Sequence, residues 1–236
     1  MTTKTDEISN EKGGFASDLA GLPCFFIDPE GAAKRVHSRW FWIMPLVVAS
    51  VIGISVATFM MPIVLHVISV SPMPDGVNAD EYMQRVSMFT KITTYLSPIL
   101  TALIWALEAA VMLGIAVVSG VKARFGALFN LVAGCGLIQS LAGIATALIL
   151  HFKGEVSSMA ELKPAMGLDI FMPEGTSKYL VALGGAFSVF QIWWVVMLAL
   201  VFAAAFRTSK GKGFAAALPL WVIGLAFSLI GAAFQK

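Results

Sequence analysis

Glu108 is the side chain in this sequence with the most chemistry open to it. It stands in an uncharged apolar run, between Thr101-Ala102-Leu103-Ile104-Trp105-Ala106-Leu107 and Ala109-Ala110-Val111-Met112. A carboxyl in such a run is either a neutral hydrogen-bond donor or a group that exchanges a proton or cation. Two amides in similar surroundings, Gln139 and Gln191, are its natural partners. Counted from the outer ends of their apolar runs, Glu108 is 13 residues in from Tyr95, Gln139 is 12 from His151 and Gln191 is 12 from Tyr179. At helical rise this predicts one shared polar layer, roughly 18 to 20 Å deep. In a structural role, protonated Glu108 donates to Gln139 or Gln191 and holds three helices in register, a contact worth about 0.6 to 2 kcal/mol. In a transport role, Glu108 changes charge as a proton or cation passes. A transporter should also show further ionisable groups, a repeated half or broken helices, and the sequence shows none of these.

The other reactive types are sparse. His66 and His151 fall near the outer ends of their runs and are weak candidates for a metal or haem. Glu108 lies about ten residues deeper, roughly 14 Å along a helix axis, and no third ligand stands at the level of the histidines. Met159, Met166 and Met172 have no cysteine or histidine cluster beside them and read as gap fillers. Cys24 and Cys135 form neither a zinc pattern nor a disulfide framework. Hydrolytic motifs, an intramembrane aspartate pair and phosphate-binding glycine loops are missing. The sequence therefore predicts a protein that is not an enzyme and needs no cofactor.

These residues are positioned by the segments that carry them. Of 236 residues, 58% are hydrophobic and 13% charged, and the mean hydropathy is +0.84. Soluble domains carry roughly 25% charge, so a water-soluble enzyme is excluded. A net charge of +2 gives no basic footprint for nucleic acid. About 20 apolar residues cross a bilayer core as a helix, and five intervals qualify. They are about 40–70, 95–119, 126–151, 179–206 and 213–234.

Alternating the sides sorts the connecting charges. Lys34, Arg35, Arg39, Lys122, Arg124, Arg207, Lys210 and Lys212 all fall on one side, while the other side mixes signs. Retained loops rich in Lys and Arg are cytoplasmic, which predicts an all-α polytopic membrane protein with N-terminus inside and C-terminus outside. Residues 1–18 read as a polar cytoplasmic tail without the pattern of a cleavable signal peptide, and 19–236 as the membrane domain.

Before span one, Asp28, Pro29 and Glu30 suit an N-cap, a first helical position and a first turn, which predicts a short interfacial helix. Phe25 and Phe26 then face lipid headgroups or the inner rim of the bundle. Lys34, Arg35 and Arg39 are placed to meet lipid phosphates, and Phe25, Phe26, Asp28 and Pro29 to meet a cytoplasmic partner. Tyr82, Val86 and Phe89 mark an amphipathic helix in the first outer segment. Gly224, Ser228 and Ala232 form a small-residue stripe that lets helix backbones approach closely.

Three stretches carry a family resemblance. Gly21-Leu22-Pro23-Cys24-Phe25-Phe26-Ile27-Asp28-Pro29-Glu30 followed by Trp40-Phe41-Trp42-Ile43-Met44-Pro45-Leu46 resembles the start of bacterial-type Yip-domain membrane proteins. Gly120-Val121-Lys122-Ala123-Arg124-Phe125 is similar to their turn between spans two and three. Phe187-Ser188-Val189-Phe190-Gln191-Ile192-Trp193, with Ser209-Lys210-Gly211-Lys212-Gly213-Phe214-Ala215, resembles their fourth span and its basic turn. The resemblance implies five spans, N-terminus inside, and a scaffold or trafficking-type adaptor in the bacterial inner membrane. Eukaryotic relatives interact with Rab GTPases, but the Tyr-Gly-Pro type motif of their N-terminal segment is missing here, which argues against a Rab partner. The expected partners are membrane lipids and other integral membrane proteins or a second copy. The rival readings are a small transporter or channel on Glu108 and a structural subunit of a larger membrane complex.

Overall fold

The computed structural model describes residues 15–71, 78–156, 158, 161–173 and 175–234. Most of the expected tail, and Met159, lie outside the described residues. Short helices come first: α1 (Phe15–Gly21), α2 (Cys24–Ile27) and α3 (Pro29–Val36). Long apolar helices follow: α4 (Ile43–Val70), α5 (Ala79–Val118) and α6 (Phe125–Lys153). Then come a single 3-10 turn (Leu168–Phe171) and α7 (Lys178–Gly185), α8 (Val189–Ala205) and α9 (Lys210–Ala233). No strand occurs among the described residues. Four of these helices are long and apolar enough to cross a membrane, and α7 with α8, bent by 47° at the break between them, is a candidate for a fifth when the pair is taken as one span.

The spans begin and end where charge forces them to. Asn78 caps α5 by accepting from the amides of Asp80 and Glu81, and Asp80 and Glu81 complement the dipole of its first turn. From there α5 runs 40 residues without interruption, about 60 Å and twice a hydrocarbon core. The amphipathic Tyr82, Val86 and Phe89 segment is therefore the first part of span two, not a separate surface helix, and Phe89 is exposed.

Span four departs from the single helix predicted for about 179–206. Its charge-free run contains Gly184, Gly185 and then Ser188, whose Oγ accepts from the amide of Gln191 at 3.2 Å and starts α8 anew. The break has outside support. Trp221 Nε1 donates to the Ala186 carbonyl at 3.0 Å. The loop before α7 presses against it so closely that a Cβ on Gly167 would lie 2.6 Å from the Gly184 carbonyl oxygen.

The main core lies between α6, α8 and the inward stripe of α5, with α2 and α3 folded onto it. Trp105, Ala109, Met112 and Ala116 recur at helical spacing on α5 and are buried. The Trp105 indole fills the notch left by Gly136, where an added Cβ would sit 2.7 Å from its Nε1. Large outward side chains such as Leu103, Leu107, Val117 and Phe227 remain exposed, as lipid-facing residues must.

Candidate functional site

Two places gather polar chemistry: the bundle interior and the end where the basic turns meet. In the interior, Gln139 of α6 donates through Nε2 to Oε1 of Gln191, in the first turn of α8, at 2.9 Å. Glu108 does not join them. It is half-buried, and its carboxyl forms no hydrogen bond or ion pair with a described residue. The helix register gives the reason. Antiparallel α5 and α6 meet where Trp105 fills Gly136, so Glu108 is three residues from that contact toward one end and Gln139 three toward the other. Their levels differ by about 9 Å of helical rise. Counting depth from Tyr95 failed because the helix begins at Ala79 and has no boundary near Tyr95.

A cavity of about 270 Å³ opens between α4, α5 and α6, lined by Gly53, Thr101, Trp105, Gln139 and Ser140 among others, and Glu108 is not in its wall. The histidines are both exposed. His151 lays its ring on Phe59 at 5.2 Å and against Phe152 at 5.6 Å. Among the described residues no three His, Cys, Asp or Glu side chains converge. Met166 accepts a contact from Thr146 Oγ1 at 3.8 Å, and the end of Met172 lies against Gly184.

The small-residue stripe of α9 is divided. Ala232 is buried and Ser228 half-buried, but Gly224 is exposed with nothing within 4 Å of an added Cβ. Gly224 therefore makes no close helix contact among the described residues. The close approaches are made elsewhere, at Gly134, Gly136 and Gly213, where a Cβ would meet the Ala199 carbonyl oxygen at 2.1 Å.

At the basic end, local sequence builds the expected helix. Asp28 Oδ1 accepts from the Gly31 amide at 3.0 Å, Pro29 opens α3 and Glu30 lies in its first turn. The aromatic pair is divided between two environments. Phe25 is fully buried, stacked on Phe41 with ring centroids 5.1 Å apart, and its ring occupies the notch at Gly134. It is a core residue and offers no surface to lipid or partner. Phe26 is half-buried against Trp193, whose Nε1 donates to the Phe26 carbonyl at 2.8 Å. Arg35 lies 4.0 Å from Asp18. Lys34 and Arg39 are exposed, with the Arg39 guanidinium 5.2 Å from the Trp40 ring centre.

The residue that fixes this end was not singled out by sequence. Asn130 on α6 is 2% exposed. Its Nδ2 donates to the carbonyls of Val36 and Ser38, and its Oδ1 accepts from the Trp42 amide at 2.9 Å. The joint between α3 and α4 is thereby tied to span three. His37 Nε2 donates to the Ala205 carbonyl at 3.0 Å, and Lys212 Nζ donates to the Ser119 carbonyl at 2.9 Å. An amide six residues beyond Arg124, inside an otherwise apolar start, was the available signal.

The sequence model of the Yip1 domain matches residues 24–231, from α2 almost to the end of α9. The chain belongs to the Yip1 domain family. No curated protein and no solved structure matches it. Family membership and the apolar helices together make it an integral membrane protein. The Yip1 match takes in α2 and α3, so these two short helices are part of the domain and not an appendage to it.

Proposed function

We propose that this Yip1 domain protein is a non-catalytic membrane adaptor that organises other integral membrane proteins, or copies of itself, through its basic end. The observation that carries the reading is the locking of α2 and α3 onto that end by Phe25, Asn130 and Trp193, which presents Asp28, Pro29, Lys34 and Arg39 on a fixed frame. A preordered surface lowers the entropy lost on binding a partner. The concentration of basic turns supports placing this end, and the N-terminus, on the cytoplasmic side of a bacterial inner membrane. Yip1 family proteins are generally non-enzymatic. Purification of the full chain in mild detergent followed by mass spectrometry tests the reading. An integral membrane partner or a self-assembled species is expected; a monodisperse monomer with no partner refutes it.

One observation favours a second reading, a proton- or cation-coupled transporter. Span four is broken at Ala186, Phe187 and Ser188, within a turn of Gln191, and broken helices are a mark of transport sites. Uptake by proteoliposomes that requires Glu108, tested with Glu108→Gln, would establish transport in place of the adaptor role.

A further inference from the structure

At the basic end a cavity of about 560 Å³ opens between the joint after α3, the turn between α5 and α6, and the end of α8. Arg39, Lys122 and Arg124 line it, and no carboxylate does. None of the three forms an ion pair with a described residue. Three uncompensated cations around one hollow repel one another unless an anion sits between them. The wall also holds Gly126 and Ala127 from the first turn of α6, a helix start without a side-chain cap. The positive end of that helix adds to the same field. Asn130 holds the floor in place through the carbonyls of Val36 and Ser38.

We infer that this cavity binds the phosphate of an anionic phospholipid headgroup. The neighbours of the cavity select a lipid over a soluble phosphate. Trp40 is 56% exposed beside it and takes the Arg39 guanidinium over its ring, and exposed indoles occupy the headgroup level of a membrane. Starting four residues beyond Arg39, Ile43, Val47 and Val51 follow along α4 at one-turn steps and are exposed, an apolar track for an acyl chain. Phosphate hydrogen-bonds to Arg39 and Arg124, with Lys122 as a point charge, while the chain lies against α4. The site stands on this geometry alone and does not depend on the adaptor reading.

The test reconstitutes the full chain with equimolar phosphatidylglycerol and phosphatidylcholine and counts retained lipids by native mass spectrometry. The wild type should retain phosphatidylglycerol over phosphatidylcholine by roughly tenfold or more, given about 1 kcal/mol per basic residue at a membrane surface. Arg39→Gln, Lys122→Gln and Arg124→Gln together should abolish the preference. Arg39→Lys, Lys122→Arg and Arg124→Lys together should keep most of it. Removing equal charge at the opposite end, with Arg85→Gln, Lys91→Gln and Lys163→Gln, should leave it intact. Equal retention of the two lipids by the wild type overturns the proposal, as does equal loss in the opposite-end variant. Displacement of the lipid by free glycerol phosphate at matching concentration overturns the lipid assignment in favour of a soluble anion. If the neutral variant does not fold, the wild-type preference, the competition and the charge-keeping variant still decide.

Discussion

Replacing Asn130 with alanine should release the segment before span one while leaving the bundle folded. The substitution orphans three backbone groups: the carbonyls of Val36 and Ser38 and the amide of Trp42. The Val36 bond is buried and the other two part-buried, so water can restore some of what is lost. A buried orphan costs about 1 to 3 kcal/mol and each partly wet one about 0.5 to 1, giving a loss of roughly 2 to 5 kcal/mol. Alanine favours helix over asparagine by about half a kcal/mol, which offsets a little of that. At 1.4 kcal/mol per decade, the net of about 1.5 to 4.5 kcal/mol makes local opening of α3 at least roughly tenfold, and up to roughly a thousandfold, more frequent. Trypsin reports on it, because Lys34, Arg35 and Arg39 bracket the released joint. Cleavage there in detergent-solubilised protein should accelerate by that factor while cleavage after Lys153, the exposed last residue of α6, stays unchanged. Asn130→Asp should be worse, since it keeps the acceptor for Trp42 but turns oxygen toward two carbonyls. An Asn130→Ala rate within threefold of wild type would refute the assignment of Asn130 as the anchor.

Other substitutions test separate contacts. Gly134→Ala pushes a methyl to 2.3 Å from the Phe25 ring and should lose about 1 to 3 kcal/mol, whereas Gly143→Ala, with nothing within 4 Å, should gain up to about 1; thermal unfolding in one detergent compares them. Trp193→Phe removes the donor to the Phe26 carbonyl and should destabilise by about 1 kcal/mol with the ring contact kept. Gln139→Leu breaks the bond to Gln191 and should cost about 0.6 to 2 kcal/mol, measured by unfolding in mixed micelles. Glu108→Gln removes no described bond and should shift stability by less than about 0.5 kcal/mol; a larger loss would mean that the carboxyl has a partner.

The spans were legible because the penalty for charge in hydrocarbon is written directly into the sequence. Lys122 and Arg124 end up in a turn, and Asp28 caps α3, for reasons visible in the residues themselves. The break in span four was not legible from hydropathy, since its whole interval is uncharged; Gly184, Gly185 and Ser188 were its local trace. The level of Glu108 depended on where α5 begins, and a helix that overruns the membrane has no charge boundary near Tyr95 to mark the crossing. Phe25 and Phe26 are adjacent and chemically identical, so only the position of Gly134 on another helix decides which ring is buried. Asn130 reads as one polar residue among many until the carbonyls of a segment 92 and 94 residues away are seen to need it.

The central claim is that the basic end is where this Yip1 domain protein meets its partners. Photo-crosslinking from Lys34 in intact membranes tests it most directly, with Phe171, exposed in the loop before α7, as the reference position. A crosslink from Lys34 to an integral membrane protein or to a second copy, absent from Phe171, is the predicted result. Crosslinks from Phe171 alone, or none from Lys34, would contradict it.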